Sequence, residues 1–70
     1  MRIDTVKLKE MREDQALSMR ELAKRAGVDL TTVYRIEHGQ VNVQPRTLRR
    51  VAGALGVEPR ELRGDALTKP

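Results

Sequence analysis

Thr31, Tyr34, Arg35 and His38 lie close together in one short stretch of the chain. Wound as a helix at about 100° per residue, that stretch puts these four side chains on one side. Val33 and Ile36 fall on the other, with Leu30 and Thr32 on the flanks. Hydroxyls, a phenol and a guanidinium on one face suit the edges of bases. Arginine can grip guanine O6 and N7 with two hydrogen bonds, and a threonine methyl can meet the thymine methyl. A polar helix face also arises from simple solvation, but a face turned only to water more often carries Glu, Lys and Gln. Contact with base edges is therefore the chemistry expected of this face.

The elements that must position it are legible on either side. In SMRELAKRAGVDLTTVYRIEHG, residues 18–39, Leu22, Ala23 and Ala26 form the apolar stripe of a helix that precedes the polar one. Ser18, followed three residues later by Glu21, is a capping box. Gly27 ends this helix by supplying a left-handed backbone. Asp29 is placed to cap the next one, and a carboxylate there also stands where it could repel a phosphate. Only Val28 and Asp29 separate Gly27 from the second helix, so the two helices must cross steeply. Ala23 and Ala26 are small enough to let their axes approach. The spacing is that of a helix-turn-helix.

Seventy residues allow one domain and a small core. With no Phe, no Trp and one Tyr, that core must come from Leu, Val, Ile, Met and Ala. The absence of cysteine excludes a disulfide framework and thiolate chemistry. No apolar run approaches the roughly 18 residues of a membrane span, and no signal peptide is evident, so a cytoplasmic location is expected. The net charge of +4 is uneven. Residues 1–17 and 51–70 are each balanced, and the whole excess lies in residues 18–50, from Arg20, Lys24, Arg25, Arg35, Arg46, Arg49 and Arg50. Clustered positive charge is what a phosphate backbone selects.

Before the helical pair, Asp4 is expected to cap a first helix over about residues 5–15. Leu8 and Met11 are its buried positions, Ile3 and Val6 pack at its start, and Leu17 points inward from the connection. Arg12 is placed to reach Glu37 at the far end of the polar helix, tying the two together as a structural pair. After it, GQVNVQP reads as a loop with Val41 and Val43 exposed. Pro45 opens a fourth helix, in which Leu48, Val51, Ala52 and Leu55 recur at i, i+3, i+4 and i+7. Gly56 ends that helix, Val57 anchors the link, Pro59 opens a short fifth helix and Leu62 closes the core. Residues 1–63 are expected to form the domain, and residues 64–70 a frayed tail.

KLKEMRED, ALSMRELAKRAGV, TTVYRIEHG and TLRRVAGALGVEPREL together resemble the Cro/C1-type helix-turn-helix family, the DNA-binding domains of lambda-type phage repressors, from about residue 5 to residue 63. The resemblance implies an all-α, compact five-helix domain whose helices 2 and 3 form the helix-turn-helix. It also implies that the helix at about residues 30–38 enters the major groove of double-stranded DNA. Arg12 and Glu37 match a pair that clasps helix one to helix three. Leu30, Thr31 and Arg35 match the usual base readers, with Thr32 and Tyr34 beside them. Ser18, Asn42, Gln44 and Arg46 match sites that commonly touch phosphate, and Arg20 is assigned with them. Met19 stands where many members carry a glutamine that braces a base reader, a brace methionine cannot make. Leu30 replaces what is often a polar reader, and is read either as pressing on a thymine methyl or as buried.

The expected function is a sequence-specific transcriptional regulator, a repressor, acting on a palindromic operator. The alternative is an antitoxin or controller-type module that also holds a protein partner, through Val41, Val43 and the tail around Leu62 and Leu67. With 70 residues no separate dimerisation domain is expected, and a weak homodimer would form through residues 41–45 and 57–62. A lone His, no Cys and no evident carboxylate pair make an enzyme, a metal site or a cofactor unexpected. The single aromatic gives little support to stacking on single strands.

Overall fold

The computed structural model describes residues 3–39 and 42–63. Four α-helices follow one another: α1 (Thr5–Asp14), α2 (Met19–Ala26), α3 (Leu30–Glu37) and α4 (Pro45–Leu55), with a closing 3-10 turn at Pro59–Leu62. Among the described residues the only β pairing is an isolated bridge between Ile3 and Arg63. The fold is all-α, as expected.

Each helix starts and stops for a local reason. The Asp4 carboxylate accepts the Lys7 backbone N–H at 3.1 Å, which caps α1. Ser18 Oγ accepts from Glu21 N at 3.0 Å, and Glu21 Oε1 accepts from Ser18 N at 2.9 Å, which closes the capping box on α2. Gly27 ends α2 at φ 72°, a left-handed conformation that costs a residue with Cβ about 1–2 kcal/mol. Pro45 occupies the first turn of α4, where its missing N–H has no partner to lose. The ends of the domain are tied by Asp4 N donating to Leu62 O at 2.8 Å. Gln15 Nε2 donates to Leu55 O at 2.7 Å and so satisfies a carbonyl at the end of α4.

The core gathers Leu8, Leu17, Leu22, Val33, Ile36, Leu48, Val51, Leu55 and Leu62 with Ala23, Ala26 and Ala52. Burial of each leucine contributes about 1.5–3 kcal/mol, and with no large aromatic inside, these leucines carry most of the packing. The alanines sit where α2 meets its neighbours α3 and α4. Short side chains there let the helix axes close up, which sets the steep turn between α2 and α3.

Four expectations are corrected. The fifth helix is a four-residue 3-10 turn, because Arg63 is already extended (φ −77°, ψ 120°) in its bridge to Ile3 and leaves no room for a further turn. Val6 is 67 % exposed and is not among the side chains packed against the core. It lies two residues from the buried Leu8, about 200° away around the helix. Val43 is buried in the core, not exposed. Its neighbours Asn42 and Gln44 are exposed, the alternation of an extended, half-buried segment, and V-N-V-Q carries that period in the sequence. Asp29 stands at the N-cap position of α3, but its side chain makes no capping hydrogen bond. Its backbone carbonyl alone receives the Thr32 and Val33 N–H groups. Val41, Leu67 and the tail at 64–70 lie outside the described residues.

The capping box predicts a pH dependence. The Ser18 backbone N–H, then the Ser18 hydroxyl, hold the Glu21 carboxyl below its ordinary value. A carboxyl depressed in the folded state contributes stability above its unfolded pKa and loses it as pH falls through the folded value. Thermal melts on an acid series should therefore show a downward limb below the usual carboxylate range, and Glu21→Gln should flatten part of it. An identical limb in the variant would show that Glu21 has no share in it.

Candidate nucleic-acid interface

The outward side of α3 is built by its inward side. Val33 and Ile36 are 1 % and 3 % exposed, so their anchoring fixes the helix's rotation about its axis. Thr31, Tyr34, Arg35 and His38 are then all exposed. Leu30 is also exposed, which excludes the buried reading of that residue. Thr32 is half-buried and lines a groove of ≈ 200 Å³ with Ile36, Asn42, Val43, Gln44 and Thr47. This groove brings one expected base reader together with two expected phosphate contacts. Thr47, which joins them, was not singled out in the sequence, and its place one turn into α4 is the signal that could have found it.

The remaining candidates lie at the starts of α2 and α4. Ser18 and Arg20 are exposed at the start of α2, and Arg46 at the start of α4. The Ser18 oxygen is occupied as an acceptor by the Glu21 N–H, so the capping role comes first for this residue. Met19 is partly buried against the core, where it fills space in place of a polar brace. Arg50 Nη1 donates to Gly27 O at 3.4 Å, a weak contact that puts a cation at the C-terminal end of α2, the negative end of its dipole.

The orientation of α3 against α1 is held by Arg12 and Glu37. Arg12 Nε donates to Glu37 Oε2 at 2.6 Å and Nη2 to Oε1 at 3.1 Å, a two-pronged pairing that fixes angle as well as distance. The third guanidinium nitrogen, Nη1, donates to Leu17 O at 2.7 Å. The Glu37 hydrogen bond raises the Arg12 pKa against the opposing effect of burial. At the same end of α3 the Tyr34 and His38 rings stack at 4.0 Å with 23° between their planes. On the far side of α4, Pro45, Leu48, Arg49, Glu58, Pro59, Arg60 and Arg63 line an open groove of ≈ 480 Å³. It overlaps the segments 41–45 and 57–62 expected at a dimer contact, although Leu62 itself is fully buried and offers no contact surface. Among the described residues no helix is long and apolar enough to cross a membrane.

A helix-turn-helix family model matches residues 8–62. The crystal structure of the restriction-modification controller protein C.AhdI from Aeromonas hydrophila is similar at 38 % identity and TM-score 0.78, covering 81 % of this chain and 86 % of that one. The hypothetical transcription factor NHTF from Neisseria is similar at 25 % identity and TM-score 0.79, covering 93 % of this chain and 80 % of that one. No curated protein matches the chain. The matched segment holds α2, α3 and α4 whole and α1 from Leu8 onward, and the chain belongs to the helix-turn-helix family, of the Cro/C1 type, as a non-enzymatic DNA-binding transcription regulator.

Proposed function

We propose that the chain represses transcription by seating α3 in the major groove of a palindromic operator. The observation that carries this reading is the two-sidedness of α3, whose anchors Val33 and Ile36 are buried while Thr31, Tyr34 and Arg35 stand free. Leu30, Thr31, Thr32, Tyr34 and Arg35 read bases. Ser18, Arg20, Asn42, Gln44 and Arg46 hold phosphates on either side, within the stretch that carries the whole positive excess. The exposed Leu30 meets a thymine methyl, since an apolar side chain at a helix front has that partner in the groove. Two copies pair weakly on DNA through the face containing residues 41–45 and 57–62, at half-sites about one helical turn apart. Val43 and Leu62 belong to the core, so the contact falls to Pro45, Pro59 and the arginines beside them.

A second reading is a controller-type module that also holds a protein partner. The similarity to a restriction-modification controller and the open groove along α4 favour it. Selection of bound sites from random duplex DNA separates the two. A palindromic motif whose binding weakens steeply with salt is expected. Absence of any enriched motif, with a protein recovered on the groove, would favour the second reading over the first.

A further inference from the structure

Tyr34 is the chain's sole aromatic of the Phe, Trp and Tyr class, and it is 47 % exposed. A phenol on an open helix face can ordinarily turn among rotamers, and a side chain that samples several positions reads a base poorly. Here it is not left to turn. His38 lies four residues on, the spacing at which helix side chains meet, and its ring stacks on that of Tyr34 at 4.0 Å with 23° between the planes. The imidazole is itself held, with Nδ1 2.8 Å from the Tyr34 backbone oxygen. A carbonyl oxygen only accepts, so Nδ1 donates and carries the hydrogen, which fixes the orientation of the ring. One hydrogen bond thus locks the imidazole, and the imidazole covers one face of the phenol. The free ring edge and the hydroxyl remain on the side shared with Thr31 and Arg35.

We propose that His38 is a positioning residue, which holds Tyr34 so that its hydroxyl and free edge meet a base pair neighbouring the one read by Arg35. The inference rests on α3 lying in the major groove. Both side chains are exposed and neither belongs to the core cluster.

The test uses the full chain with His38→Ala, His38→Phe, Tyr34→Ala and the double variant His38→Ala/Tyr34→Ala, on a selected operator and on random duplex. His38→Ala is expected to lower operator affinity roughly 3- to 10-fold, the range of an aromatic pair. Random-duplex affinity and melting temperature should change little. Site selection with His38→Ala should relax at the same base pair as with Tyr34→Ala. His38→Phe, which keeps a stacking ring, should restore the preference, and His38→Ala should add nothing once Tyr34 is alanine. In protein free of DNA, the Tyr34 emission should change on His38→Ala, which checks the stack apart from binding. Equal loss on operator and random duplex would make His38 a phosphate contact and overturn the proposal. So would an effect that persists in the Tyr34→Ala background, or an unchanged emission. A wild-type chain with no operator preference would overturn the groove placement as well, whereas a preference that survives His38→Ala intact overturns this inference alone.

Discussion

Replacing Glu37 by alanine is expected to destabilise the fold by about 3–5 kcal/mol, the cost of leaving a buried charge without its partner. The Arg12 and Glu37 side chains are only 10 % and 3 % exposed. With the carboxylate gone, the guanidinium keeps Leu17 O and loses both other acceptors. A domain of this length has about 3.5–10.5 kcal/mol of stability in all, at roughly 0.05–0.15 kcal/mol per residue, so this one change removes more than about a quarter of it. Exchanging both partners for apolar residues, Arg12→Met with Glu37→Leu, should recover most of the loss, because the desolvation cost of two charges disappears with them. Urea unfolding with comparison of midpoints and slopes measures both variants. A loss of less than about 1 kcal/mol for Glu37→Ala would put the pair with exposed salt bridges, which contribute little. The pair brings no pH dependence from Arg12 near neutrality. A guanidinium whose pKa is raised on folding contributes stability that is complete below its unfolded value and is lost only as pH climbs through the folded one, far into alkali.

What the sequence could disclose divides along physical lines. Features whose cause lies within one turn of chain were legible. Ser18 with Glu21, Gly27, Pro45 and the spacing of Leu48, Val51, Ala52 and Leu55 set the helices within a residue or two of where they lie. The separation of α3 into buried Val33 and Ile36 and an exposed opposite side followed from the helical period alone. Features that depend on a choice between partners were not. Asp29 has the composition of a cap, yet at an exposed position its side chain is free to prefer water over the backbone N–H groups. Val43 is buried although the segment around it has the composition of a loop, because the period-2 pattern of V-N-V-Q turns that side chain into the core. The Gln15 bond to Leu55 joins residues 40 positions apart, and no local pattern announces it. The stacking of Tyr34 on His38 lay within reach of the i, i+4 rule, but the rule gives adjacency and not the hydrogen bond that orients the imidazole.

Arg35→Ala is expected to cost about 1–3 kcal/mol at one base pair of the operator, about 5- to 150-fold, and to relax the choice of base there while leaving other positions as selective as before. The expectation follows from where the side chain stands. Arg35 is exposed on the outward side of α3, about 200° around the helix from Val33, and does not line the groove that Thr32 shares with Asn42 and Gln44. A guanidinium reaching from the middle of a recognition helix has bidentate acceptors only on guanine, so its removal is felt at one kind of base pair. Arg46 supplies the contrast. It is exposed in the first turn of α4, where on the proposed function a cation would meet phosphate oxygens that every sequence presents alike. Arg46→Ala should therefore weaken operator and random duplex together, and should make the dependence of log affinity on log salt shallower by about one unit. Binding titrations of both variants at several salt concentrations, on the operator and on single-base changes of it, give the two signatures side by side. Uniform weakening by Arg35→Ala, with a flattened salt slope, would move that guanidinium onto the backbone. It would leave Leu30, Thr31, Thr32 and Tyr34 as the readers, a face able to distinguish methyl groups and single acceptors but lacking a two-pronged grip on guanine.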